Sequence, residues 1–237
     1  MLEDSLRAAV ERLPPGWSGV YFERVGSTQD EARRAGPRSV VVADQQTAGR
    51  GRHGRNWQAA PGTALLLSLV FEDDGAPPWR YTSLVSLALA EAVEVVAPEL
   101  RPRIKWPNDL VLDGRKLAGV LAESTFNGER LRVIIGVGVN VTAAPPDVPS
   151  ATCLGPVDRG ALLHALLGRL DAWLARPPGA AQTAWQARLW GRGQRLRLVD
   201  LGIDEAVVVL GVEPSGALRV RLADGSERAS VTGELLP

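Results

Sequence analysis

The sequence predicts an α+β fold, with one central mixed β-sheet and its helices followed by a small C-terminal β-barrel. Two observations predict it. Up to residue 190, strand-like apolar runs and helix-spaced apolar residues alternate in mixed order, which suits a single sheet backed by helices. After Gly191 the pattern changes to short strands separated by glycine turns. That second unit has about 45 residues, marginal for stability alone, so it is expected to pack on the larger one. The domains therefore read as 1–190 and 191–237.

Leu2, Leu6, Ala9, Val10 and Leu13 repeat at helical spacing, and Pro14-Pro15-Gly16 ends that first helix. Val20 to Val25 reads as a strand. Ser27 then stands where a helix N-cap would, with Asp30 and Glu31 in the next turn suiting the positive helix end. Ser39 to Ala43 is a β-branched strand, and the polar, glycine-rich Gln45 to Gln58 is a loop. Loops of that length in compact domains tend to be functional or disordered. Ala64 to Phe71 is a buried strand, and Ser83 to Val96 a buried helix. Arg103 to Trp106, Leu110 to Leu112 and Leu117 to Glu123 read as strands, with Asp113-Gly114 as a hairpin turn. Leu131 to Val141 is densely apolar and so expected to be central. Pro145 to Pro149 is a broken loop. An amphipathic helix carries Leu162, Leu163, Leu166, Leu167, Leu170, Trp173 and Leu174, and a second covers Ala180 to Trp190. The terminal strands are Gln194 to Val199, Ala206 to Leu210, Leu218 to Leu222 and Arg228 to Val231.

Composition narrows the function. Lys plus Arg and Asp plus Glu both number 27, so the formal net charge is zero and no whole-molecule field points to nucleic acid or membrane. The one cysteine, Cys153, excludes an internal disulfide and suits a reducing compartment. His53 and His164 lie far apart, which argues against structural zinc. The N-terminus lacks a signal-like apolar core, and no apolar run reaches the ~20 residues of a spanning helix. A cytoplasmic protein is expected.

The stretch Gly49-Arg50-Gly51-Arg52-His53-Gly54-Arg55-Asn56-Trp57 is the most informative. Glycines let backbone approach a ligand closely, and arginines offer forked donors for phosphate or carboxylate oxygens. Taken alone it reads as a solvated basic loop; a nucleic-acid patch is a second reading, against which the zero net charge and the lack of interleaved aromatics beyond Trp57 weigh. Lys105-Trp106-Pro107-Asn108-Asp109 joins two strands. Its Asn-Asp is good turn chemistry, and its oxygens also suit Mg²⁺. Lys116 opens an otherwise apolar strand, either as a solvated end or as an ammonium facing an anion. Gly119 and the run Gly136-Val137-Gly138-Val139-Asn140 mark weak strands or close ligand approach.

Together, in this order, the pair Ser27-Thr28, the Gly49–Trp57 loop, Lys105 to Asp109, Lys116 to Gly119 and Gly136 to Asn140 closely resemble the catalytic domain of biotin–protein ligases. The resemblance runs from about Val20 to Val141 and implies a class II synthetase-like catalytic domain with a C-terminal SH3-like barrel. Lipoate ligases share a related fold without the arginine-glycine loop. The resemblance implies that Ser27, Thr28, Gln29 and Gln46 bind the biotin ring. Arg50, Gly51, Arg52 and Lys116 would meet its carboxylate, with Trp57, Gly119 and Gly138 enclosing ring and tail. Arg52, Arg55, Trp57, Lys105, Asn108, Lys116 and Asn140 would hold nucleotide, with Asn108 and Asp109 as magnesium positions. Lys116, Arg50 and Arg52 would be catalytic. Two departures from the common pattern are Gln29 in place of Asn and His53 in place of Arg. The implied reaction uses ATP and Mg²⁺ to activate biotin and passes it to a biotin carboxyl carrier protein, with a homodimer plausible. Only about two dozen residues precede Ser27, too few for the winged helix many relatives carry, so no DNA binding is expected. The rival expectation is a non-catalytic nucleic-acid-binding protein using the Arg/Gly loop.

Overall fold

The fold, from a computed structural model, is described for residues 6–73, 76–127, 130–200 and 203–236. The first helix, α1, spans Leu6–Glu11; Leu2 lies outside the described residues. The main sheet holds β1 (Ser18–Val25), β2 (Ser39–Gln46), β3 (Ala64–Asp73), β4 (Arg103–Lys105), β5 (Asp109–Leu112), β6 (Arg115–Asn127) and β7 (Arg130–Asn140). Their order is β1-β2-β3-β7-β6-β5-β4, and β7 is central, as its apolar run predicts. β1 and β2 pair parallel and the other neighbours antiparallel, so the sheet is mixed. Asp113 and Gly114 take φ of 49° and 75°, the left-handed pair that a two-residue turn between β5 and β6 requires.

The sheet has two different faces because strand side chains alternate. Val40, Val42, Leu65, Leu67, Leu69, Val133, Ile135, Val137 and Val139 join the main core with helices α3 (Pro78–Val96) and α4 (Arg159–Leu174). On the other face, Val41, Val70 and Ile134 pack only a small cluster with Ala32 of the short helix α2 (Thr28–Ala32). The rest of that second face is where the glycines of β6 and β7 lie, and it is left for the site.

Helix α5 (Pro178–Arg188) ties α3 to the C-terminal strands. On one side Gln186 Nε2 donates to Val212 O at 2.7 Å. On the other, Arg188 reaches Glu94 of α3 in two bonds of 2.6 and 2.8 Å. The Arg188 hydrogen bond holds the Glu94 carboxyl below its usual value. A depressed carboxyl stabilises the fold above its unfolded pKa and loses that contribution as pH falls through the folded value. Glu94→Gln is therefore expected to cost about 1 kcal/mol at pH 7, near the top of the range for partly exposed pairs. Urea midpoints of the two proteins should converge below about pH 4, the ordinary carboxylate range; a gap independent of pH would contradict the pairing.

The C-terminal strands are β8 (Arg195–Asp200), β9 (Ile203–Val212), β10 (Leu218–Arg221), β11 (Glu227–Ser230) and β12 (Glu234–Leu236), ordered β11-β10-β9-β8-β12. The sequence predicts a barrel; the pairing found is an open five-stranded antiparallel sheet. It does pack on the larger unit as expected. Leu196, Val207, Leu218 and Leu235 belong to the same core as Ile104 and Trp185, and Trp106 Nε1 donates to Gly216 O at 2.9 Å.

Candidate functional site

The glycine-rich segment after β2 folds back on itself. Arg50 bridges Asn56, Gly51 N donates to Arg55 O at 2.6 Å, and Trp57 N donates to Gly49 O at 2.9 Å. Gly49 is required there, because a Cβ would stand 2.5 Å from Trp57 O. The fold-back lays Trp57 on the open face of the sheet. Gly138 and Gly119 are cross-strand partners. A Cβ on Gly138 would meet the Trp57 indole at 2.5 Å, and one on Gly119 would meet it at 3.2 Å. The two glycines are thus the bed for one flat ring. Gly138→Ala is expected to displace Trp57 at a cost of about 1–3 kcal/mol, the usual range for overpacking. Trp57 fluorescence and ligand affinity should change together; an unchanged spectrum and affinity would remove the contact.

Every candidate site residue, from Ser27 to Asn140, lines one cavity of about 420 Å³ over this face. Its inner end is neutral and polar. Ser27 occupies the N-cap position of α2 but makes no side-chain capping bond, which corrects the expectation from sequence. Its Oγ, Gln29 Oε1, Trp57 Nε1 and Asn140 Oδ1 are buried without a hydrogen-bond partner among the described residues. Gln29 lies against Gly136, where a Cβ would come within 3.0 Å of its carboxamide. Thr28 N and Oγ1 both donate to Gln46 Oε1, at 2.7 and 3.0 Å.

The other end is cationic. Lys116 Nζ sits 2.8 Å from Asp109 Oδ1 and 5.7 Å from the Trp57 ring centre. Arg52 donates to Asn108 Oδ1 and to Gly233 O, both at 3.3 Å, and burial pulls its guanidinium below the usual value. Burial likewise lowers Lys105, whose ammonium stands over Trp190. Arg55 donates to Glu234 at 2.9 Å. Burial works to raise the Glu234 carboxyl, but the Arg55 bond and the Arg55, Lys105 and Lys116 charges outweigh it and hold it low. Arg50 lines the cavity with its guanidinium committed to Asp30, at 2.8 and 2.9 Å, and to Glu123 at 3.3 Å. The Arg50 bond draws the Asp30 carboxyl down. Arg50 and Arg55 are thus both paired with carboxylates.

Asn108 and Asp109 do not fit a resident metal. Both oxygens already face cations, Arg52 and Lys116, and Asn108 Nδ2 is tied to Val120 O at 2.8 Å. Among the described residues no group of three or more His, Cys, Asp or Glu side chains converges on a metal position. His53 is exposed on the loop at a φ of 56°, and His164 faces Ala9 O, away from the cavity.

Sequence reasoning missed three parts of the wall. Ser150 and Ala151 line it, and Ser150 O accepts from Lys116 N at 2.7 Å. Glu234 and Leu236 reach it from β12. Leu121 forms part of its floor, beside Gly136 of the glycine strand that the sequence does mark. A cavity with a neutral hydrogen-bonding end, a flat aromatic wall and a cationic end suits a ligand that is polar but uncharged at one end and anionic at the other.

Residues 21–140 match the Biotin/lipoate A/B protein ligase family. The chain is 35% identical over 241 residues to the biotin–[acetyl-CoA-carboxylase] ligase of Mycobacterium tuberculosis, covering 91% of this chain and 88% of that protein. It is 30% identical over 248 residues to the bifunctional ligase/repressor BirA of Bacillus subtilis, covering 95% and 76%. Among solved structures, the Leishmania major biotin protein ligase in complex with biotinyl-5-AMP matches at 26% identity and a TM-score of 0.63, covering 92% of this chain and 100% of that one. The Aquifex aeolicus ligase in complex with biotin and ATP matches in fold at a TM-score of 0.79 and 24% identity, covering 92% and 97%. On this match in sequence and length, the chain belongs to the biotin/lipoate A/B protein ligase family.

Proposed function

We propose that the chain is a biotin–protein ligase. It joins biotin and ATP as biotinyl-5′-AMP and transfers the biotinyl group to a lysine of a biotin carboxyl carrier protein. The family includes ligases for biotin and for lipoate, and the polar inner end of the cavity favours biotin. Leaving buried Ser27 Oγ and Gln29 Oε1 against a dithiolane ring would cost about 1–3 kcal/mol per unsatisfied group. A cyclic urea brings one acceptor and two donors to the same place.

The chemistry belongs to the other end. The biotin carboxylate attacks the α-phosphorus of ATP, and pyrophosphate leaves with the bond electrons. The carrier amine then attacks the acyl carbon, loses a proton, and AMP leaves. No protein nucleophile is required. Lys116 and Arg52 offset the negative charge that carboxylate and phosphate bring together, in a cavity where such charges are poorly screened. Trp57 and the folded loop keep water from the mixed anhydride. Arg50 bears on the carboxylate only if it leaves Asp30 or Glu123. Mg²⁺ arrives on the triphosphate of ATP. Pyrophosphate release should depend on biotin and not occur with lipoate; release with lipoate alone would contradict the reading.

The finer assignments are proposals of the same kind. A domain boundary at 190/191 and an SH3-like descent for the C-terminal sheet are supported by its short antiparallel strands. The absence of DNA binding is supported by the zero net charge, and an anisotropy titration tests it. The cytoplasm is the expected compartment, from the single cysteine. A homodimer is the assembly the resemblance implies; the central strand β7 is paired on both sides and supplies no free edge for it, and sedimentation decides.

A further inference from the structure

Ser68 interrupts the apolar run of strand β3, fully buried on the face that carries the site. It is the cross-strand partner of Gly136, over which Gln29 lies. Its Oγ is 2.8 Å from Thr28 Oγ1. The directions of the bonds around Thr28 can be worked out from what each atom can do. The Thr28 backbone N–H can only donate, so the Gln46 atom 2.7 Å away is the carboxamide oxygen. That oxygen can only accept, so the single Thr28 hydroxyl proton goes to it, at 3.0 Å. With its proton committed, Thr28 Oγ1 can only accept from Ser68. One lone pair is taken by Ser68, and one remains for the cavity.

The geometry points to Ser68 as a positioning residue for ligand recognition. Gln46 takes the Thr28 proton and so makes the hydroxyl an acceptor, while Ser68, donating to it, fixes its rotamer and leaves one lone pair for a ligand N–H. Under the biotin reading, on which this rests, that group is a ureido N–H. Ser68 itself is shielded by Thr28 and need not touch ligand. Without it, Thr28 Oγ1 has one more unsatisfied lone pair and one fewer restraint on its rotamer. The loss should fall on binding of the ring and not on the acyl chemistry at the Lys116 end.

The test is biotin-dependent pyrophosphate release by the full chain, with KM for biotin and kcat read separately. Ser68→Ala and the near-isosteric Ser68→Cys should raise KM for biotin about 3–10-fold, the worth of one hydrogen bond, with kcat unchanged. Ser68→Thr, which restores the hydroxyl, should return KM towards the wild type. In a Thr28→Val background Ser68→Ala should have no further effect, because the hydroxyl it positions is already gone. Melting curves confirm that each variant is folded, and the cysteine variant carries the test if the alanine variant is not. An unchanged KM in both variants, a fall in kcat in place of a rise in KM, or additivity with Thr28→Val would overturn the inference. A wild-type chain without biotin-dependent release would instead overturn the ligase reading, so the two failures are distinct.

Discussion

Lys116→Ala is expected to slow adenylate formation by at least about 10²-fold, the scale on which removal of one preorganised charge-stabilising group acts. The lysine is held in place from three sides. Its backbone N–H donates to Ser150 O at 2.7 Å and its carbonyl accepts from Thr152 N at 2.8 Å. Its ammonium is 2.8 Å from Asp109, and Gly119 leaves it room, since a Cβ there would stand 3.4 Å from Nζ. The substitution acts twice. It removes the cation beside the reacting groups and strips Asp109 of its partner, leaving a carboxylate to repel the incoming anions. Lys116→Ala/Asp109→Asn should therefore recover part of the lost affinity for ATP but not kcat. Pyrophosphate release measured with circular dichroism separates this from unfolding. Near-normal release by a folded variant would remove Lys116 from the mechanism.

Trp106→Ala is expected to have the largest effect on stability, about 3–5 kcal/mol, as for other large aromatic truncations in a core. Trp106 is 1% exposed, lies between β4 and β5, and donates its indole N–H to Gly216 O in the C-terminal sheet. The Gly216 turn has a φ of 93° and stands so close to Trp79 that a Cβ would be 2.5 Å from that ring. Glycine is needed there on both counts. Truncating Trp106 opens a cavity under the contact that joins the two sheets and leaves a buried carbonyl unpaired. Trp106→Phe keeps most of the volume and should lose only the hydrogen bond, about 1 kcal/mol. Urea unfolding of both variants measures the difference. A loss below about 1 kcal/mol for the alanine variant would mean that the sheets are not joined through this side chain.

Much of this was legible in the sequence because it depends on local pattern. The apolar run of β7, the Asp113-Gly114 turn and the stripe on α4 are set by neighbours in the chain. Element ends were less legible. Helix α3 begins at Pro78 and not Ser83, because proline at a first turn carries no apolar signal. Helix α5 stops at Arg188, since Trp190 N donates to Ile104 O instead. Strand β12 has three residues and owes its existence to pairing with β8. The site shows the same division. The glycine-arginine loop, Lys116 and the β7 glycines announce themselves by composition. Ser68 and Glu234 do not, because their partners, Thr28 and Arg55, lie 40 and 179 residues away. Barrel closure was expected from short strands separated by glycine turns, a pattern that gave four of the five strands and does not decide whether β11 and β12 meet.

One cavity is held to make the adenylate and to present it to a carrier lysine. The most direct measurement is the intact mass of a biotin carboxyl carrier domain after incubation with the chain, biotin, ATP and Mg²⁺. A gain of one biotinyl group is predicted, lost when ATP is omitted, when the carrier lysine is replaced, or when Lys116 is alanine. A carrier whose mass stays unchanged with the wild-type chain would contradict it.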